Sequence, residues 1–134
     1  MLIVHPSSQT TAGVWIAQEP LLVLDVDAPS SEKGRALRDS LAASVSNVPH
    51  PRSWAHHFDR FLEVADVKNW RAFVKNTRSV GVEDDGVSLI LTPSRNQGAR
   101  DGFTELLDRA RQLPADASDE ELGKALDAAL DSSE

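Results

Sequence analysis

The chain has no cysteine among its 134 residues, which excludes disulfide staples and thiolate metal sites and fits a reducing compartment. It also lacks a long apolar run. No stretch approaches the roughly 20 residues that span a bilayer. The opening Met1-Leu2-Ile3-Val4-His5-Pro6 has neither the basic lead nor the apolar length of a signal peptide. The expectation is a cytoplasmic protein that does not associate with membranes. Two signatures of catalysis are missing as well. None of Ser7-Ser8, Ser30-Ser31 and Ser132-Ser133 sits in a Gly-x-Ser-x-Gly elbow. The glycines Gly98 and Gly102 do not form a phosphate-cradling loop between a strand and a helix.

Positive charge is scarce: 14 Lys and Arg stand against 21 Asp and Glu, a net charge of −7. Residues 1–100 carry 11 acidic and 11 basic side chains, whereas residues 101–134 carry 10 and 3, so the whole excess lies in the last quarter. Such a surface repels phosphate backbones, so direct nucleic-acid binding is not expected and a basic protein partner is. With 40% hydrophobic and 26% charged residues the composition is globular, and the length suits one domain spanning 1–134.

Val14-Trp15-Ile16-Ala17 and Leu21-Leu22-Val23-Leu24 read as strands, the second apolar on both faces and therefore interior. Ser30-Ser31-Glu32 opens a helix in which Leu37, Leu41 and Val45 recur every four residues. Asn47 to Ser53, with Pro49 and Pro51, reads as a loop. Trp54, Phe58, Phe61, Leu62 and Ala65 then share one helical face. Asp66 is placed to cap a further helix striped by Val67, Trp70, Phe73 and Val74.

Asp85-Gly86 is a favoured hairpin turn, and pairing outward from it sets Asp84 against Val87, Val82 against Leu89 and Val80 against Leu91. The four apolar partners share one face, which determines the register. Ser94 to Gly102 reads as a polar loop, and Phe103, Leu106 and Leu107 as the start of a short helix ending before Pro114. Ser118 and Glu121 form a capping box ahead of Leu122, Ala125, Leu126, Ala129 and Leu130 at helical spacing. The sum is an α+β fold with an antiparallel sheet and packed helices.

An internal echo joins the two long helices. Asp27–Ser44 laid on Asp116–Ser133 at a constant offset of 89 gives eight identities in 18 positions, among them Gly34 with Gly123. A mid-helix glycine costs about 1 kcal/mol relative to alanine. Its recurrence implies a helix lying close on another element.

His56-His57-Phe58-Asp59 is the one cluster that invites catalysis. Adjacent helical histidines point about 100° apart, so they cannot grip one metal together, and His56 shares a side with Asp59 instead. Only His5 and His50 remain as further imidazole ligands. A small hydrolase built on His56, His57 and Asp59 is therefore the enzymatic alternative, and a non-catalytic scaffold subunit a third reading. Asp25 and Asp27 fit a turn. Two acidic groups lack a local reason for their charge. Glu83, Asp84 and Asp85 crowd the hairpin tip, and Asp101, Glu105 and Asp108 line the following helix. Neither a cofactor nor a metal is expected.

Asn69-Trp70-Arg71-Ala72-Phe73-Val74-Lys75-Asn76 is followed in order by the hairpin, by Leu91-Thr92-Pro93-Ser94-Arg95, and by Gly98 with Gly102-Phe103. Leu113-Pro114-Ala115-Asp116-Ala117-Ser118-Asp119-Glu120-Glu121-Leu122-Gly123 completes the series. Together these segments resemble the immunity proteins (CdiI type) encoded beside contact-dependent growth inhibition toxins. The likeness covers residues 66–134 and, loosely, the 27–44 helix. It implies a compact α+β fold, no catalysis, and one cognate toxin: the C-terminal part of a large surface-delivered protein, often a nuclease. Partner-contacting residues in such immunity proteins vary with the toxin, so the resemblance transfers none; Glu83, Asp84, Asp85, Asp101, Glu105 and Asp108 are the candidate toxin-contacting residues because their charge has no local reason.

Overall fold

The computed structural model describes residues 1–134. Two short antiparallel ribbons come first: β1 (Leu2–Val4) pairs with β4 (Leu22–Leu24), and β2 (Ser7–Gln9) with β3 (Trp15–Ala17). The helices α1 (Ser30–Ala43), α2 (Asp59–Ala65) and α3 (Trp70–Val74) follow. Then come β5 (Val80–Asp84), β6 (Ser88–Asn96), α4 (Gly98–Asp101), β7 (Phe103–Glu105), a 3-10 turn at Leu107–Arg109, β8 (Arg111–Pro114) and α5 (Asp119–Ser132). The α+β class with antiparallel pairing and packed helices is as expected.

The apolar positions of α1 and α5 meet those of β5 and β6. Ala36 and Leu37, Leu122, Leu126 and Ala129, Leu89 and Leu91, and Val4 of β1 form one buried cluster. The recurrent glycines explain how closely the two helices approach. A Cβ built on Gly34 would overlap the Asp119 carbonyl, and one on Gly123 would overlap the Ser30 carbonyl. The contact is reciprocal at the same offset of 89, so the echo is a pseudo-twofold crossing. Charges lock it from the sides. Lys33 Nζ lies 2.8 Å from Asp127 Oδ1, and Arg38 Nε 2.9 Å from Asp119 Oδ1. Ser118 caps α5 by accepting from the Glu121 N–H at 3.1 Å.

Several local expectations are corrected. β4 is not an interior strand, because its only partner is β1. Leu22 and Leu24 face the core while Val23 is exposed. α1 stops at Ala43, and Val45 leaves it to hold β2, accepting at its carbonyl from the Gln9 N–H at 3.0 Å. Trp54 precedes α2 instead of lying on it. Asp66 is the left-handed residue that ends α2, with φ of 55°. The cap of α3 is Asn69, whose side chain accepts from the Ala72 N–H.

The hairpin keeps its faces and changes its register. Val82 pairs with Leu91, and Asp84 with Leu89, two positions away from the expected pairing, so Val80, Val82, Leu89 and Leu91 still face the core. The loop is centred on Gly86-Val87. An Asp85-Gly86 centre of the favoured kind would force Asp85 to positive φ, whereas here only Gly86 takes it, at 87°. Asp85 instead turns its carboxylate inward, accepting from the Val87 N–H at 2.9 Å and the Ser88 N–H at 2.6 Å. Those backbone donors hold its pKa below the usual carboxylate value. Because the depressed pKa belongs to the folded state, the turn's contribution is present above the unfolded pKa and fades as pH falls through the folded one. Asp85→Ala is expected to speed hydrogen exchange at Val87 and Ser88. The same loss of protection, measured against the intrinsic exchange rate at each pH, should appear in the parent protein on acidification, and unchanged protection would refute this role for Asp85.

Residues 94–114 depart furthest from expectation. β6 runs on through Pro93 to Asn96, and the segment expected to be helical is two strands, β7 and β8, joined by the 3-10 turn. Both pair with the same side of β6, β8 against Ser88–Leu91 and β7 against Ser94–Asn96. Pro93 falls in the gap between them, where its missing N–H breaks no ladder bond. Asp101, Glu105 and Asp108 therefore do not line one helix. They end α4, end β7 and occupy the 3-10 turn.

Candidate functional site

In the sheet of order β5–β6–(β7, β8), one long edge of β5 has no strand partner, and β1 likewise pairs on one side only. A cleft of about 1850 Å³ wraps the free edge of β5 and is also lined by β1. Its apolar floor includes Leu37 and Leu41 of α1 with Leu126 and Leu130 of α5. Ser40 lies in the same floor, almost fully buried, and its Oγ has no hydrogen-bond partner. The unpaired backbone donors and acceptors along the free edge of β5 are open to pairing with an extended chain.

The rim is acidic. Glu83, Asp84 and Glu105 line this cleft, as do Asp127 and Asp131 of α5. Glu105 reaches β5 from β7: a Cβ on Gly81 would stand 3.8 Å from its Oε1. Glu83, Asp84, Glu105 and Asp131 form no salt bridge, whereas Asp127 is taken by Lys33. The other expected residues are placed differently. Asp85 faces into its own turn, and Asp84 Oδ1 also accepts from the Gly86 N–H at 2.9 Å. Part of the charge at the hairpin tip is thus explained by the turn itself. Asp101 and Asp108 are exposed but do not line the cleft. Asp127 and Asp131 were not singled out from sequence, although their i, i+4 spacing on α5 puts them on one side.

The histidines diverge. His56 Nδ1 lies 3.0 Å from Asp59 Oδ2 in the open, while the His57 ring packs edge-on to Trp54 and Phe58. Phe58 in turn stacks on Trp70, and Trp70 on Phe73. His5 enters this aromatic group edge-on to Phe61, with ring centroids 4.9 Å apart. Burial holds its pKa below the ordinary 6.5. A neutral folded imidazole opposed by a protonated unfolded one means that stability falls as pH drops below about 6.5. His5→Gln is expected to flatten that part of a pH–stability curve. A slope identical to the parent's would exclude His5 as its source.

No helix is long and apolar enough to cross a membrane. No curated protein matches the chain in sequence. Among solved structures, a protein of unknown function from Neisseria meningitidis superposes with a TM-score of 0.82 at 21% identity, over 98% of this chain and 88% of that one. A chain of the CdiA-CT/CdiI toxin and immunity complex from Yersinia pseudotuberculosis superposes with a TM-score of 0.68 at 19% identity, over 97% and 89%. At these identities the two structures speak for the fold alone. The family model for CdiI, the CDI immunity protein, matches residues 17–133. With nearly the whole chain covered, this protein belongs to the CDI immunity protein family.

Proposed function

We propose that this protein binds the cognate C-terminal toxin domain of a contact-dependent growth inhibition system, a basic nuclease, and neutralises it stoichiometrically in the cytoplasm. The observation that supports this most directly is the unpaired acidic rim around the free edge of β5, in a chain of this family. A nuclease holds phosphates with Lys and Arg, and those cations have complements in Glu83, Asp84 and Glu105. The open edge offers backbone hydrogen bonds to an extended segment of the toxin, while alternate side chains of that segment meet the apolar floor and the rim. Charge complementarity would bring association toward about 10⁸ M⁻¹s⁻¹ at low salt. A contact of about 800 Å² per partner would then hold the complex.

The net negative charge repels the nucleic acid on which such a toxin acts, so the protein masks the toxin without engaging its substrate. No turnover is involved.

Co-expression with the cognate toxin domain tests the reading. The expected result is a co-purifying one-to-one complex and protected cells, with protection undiminished in the His56→Ala/His57→Ala variant. Cells that die despite full expression of the folded protein would rule it out. Hydrolysis of a small molecule by the parent protein that vanishes in the histidine variant would point instead to the hydrolase.

A further inference from the structure

A second cavity, of about 1140 Å³, lies between α3 and α4 and has the opposite character. Arg71, Lys75, Arg78 and Arg100 line it, with Asn96 and Gln97 beside them. None of the four cations has a carboxylate within salt-bridge distance. In a protein of charge −7, four unpaired cations gathered in one groove are a concentration that composition does not explain. The one acidic residue in the lining, Glu134, is held by Arg95 and Arg109.

The walls are fixed by polar contacts. Asn96 Nδ2 donates to the Val74 and Thr77 carbonyls at 2.8 and 2.9 Å, tying the end of α3 to β6. One Arg78 nitrogen donates to the Leu130 and Ser133 carbonyls at the end of α5, which leaves the remaining guanidinium N–H groups uncommitted. Arg71 lies in the first turn of α3 and Lys75 caps its end, the Lys75 N–H donating to the Arg71 carbonyl at 3.2 Å.

The groove also adjoins the cleft, because Asn76, Thr77 and Arg78 line both. We propose that this groove receives an acidic segment of the same toxin whose basic segment occupies the cleft. The inference rests on the toxin-binding reading and adds the charge pattern of the partner: positive where it meets β5, negative where it meets α3 and α4. A protein carboxylate cluster suits the site better than a nucleic acid strand. A strand would have to extend beyond the groove across an acidic molecule, whereas carboxylates can be confined to it. Arg71 and Arg100 can each grip a carboxylate with two parallel N–H donors.

Two experiments on the full chain decide it. In the first, hexaglutamate and hexauridylate are titrated separately and followed by amide NMR. The peptide is expected to shift residues 71–78 and 96–100 in the parent protein, and not in the triple variant Arg71→Glu/Lys75→Glu/Arg100→Glu. Arg78 is left intact because it caps α5. Tighter binding of the oligonucleotide than of the peptide overturns the proposal in favour of a nucleic-acid site. A lack of shifts with the peptide also overturns it.

In the second, the affinity of the toxin domain is measured for the parent, for the triple variant, and for Glu83→Lys/Glu105→Lys. The triple variant is expected to bind about tenfold or more weakly, with the deficit shrinking as salt rises. If it binds like the parent while the cleft variant is weakened, the groove proposal fails and the toxin-binding reading survives. If the parent forms no complex, both fail together.

Discussion

Alanine at Gly34 or at Gly123 is expected to cost the fold about 3 kcal/mol, near the top of the range for overpacking. The corresponding fall in Tm is roughly 10 °C. Each added Cβ would fall on a carbonyl group of the opposite helix, Asp119 for Gly34 and Ser30 for Gly123. A side chain could rotate away from such a clash, but backbone cannot, so α1 and α5 must separate. Separation opens the interface that buries Leu37, Leu122 and Leu126. Alanine would ordinarily favour a helix by about 1 kcal/mol over glycine, and the clash must outweigh that gain. Urea unfolding should show a lower midpoint with an unchanged slope for both variants, against a Lys124→Ala control that shifts little. A neutral or stabilising effect at both glycines would show that the crossing is loose.

Reversing the cleft charge should have the largest effect on function. Glu83→Lys/Glu105→Lys is expected to slow association with the toxin domain by about 100-fold at low salt and far less at high salt. Both side chains are exposed and free of salt bridges, so folding should be nearly unaffected. Stopped-flow association across a salt series separates the two contributions. Asp84 and Asp85 are left in place because their carboxylates accept backbone hydrogen bonds within the turn. An association rate that ignores the reversal at every salt concentration would remove the acidic rim from the toxin interface.

The acidic candidates divide according to what each carboxylate has to do locally. Glu83 and Glu105 fall on one face of the sheet because β7 lies across β6 from β5, a consequence of pairing between residues far apart in sequence. Asp101 and Asp108 were grouped with them through a helix that does not form. Phe103, Leu106 and Leu107 have helical spacing, but Leu107 is largely exposed and the segment satisfies its backbone against β6. Short apolar patterns leave strand and helix undecided, and the partner edge then chooses. Pro93 lies inside β6. It reads as the end of a strand, and only the gap between β7 and β8 allows β6 to pass through it.

What the sequence by itself determined is whatever depends on neighbours a few residues away. That includes the periods of α1 and α5, the Ser118 cap, the core face of the hairpin and, through a repeated glycine, the tight helix crossing. Tertiary structure alone decided the continuation of β6, the open edge of β5, and the separation of an acidic cleft from a basic groove. The reason is physical: local periodicity fixes which side of an element is apolar, whereas hydrogen bonds between distant strands determine which edges stay unpaired and which charges end up together.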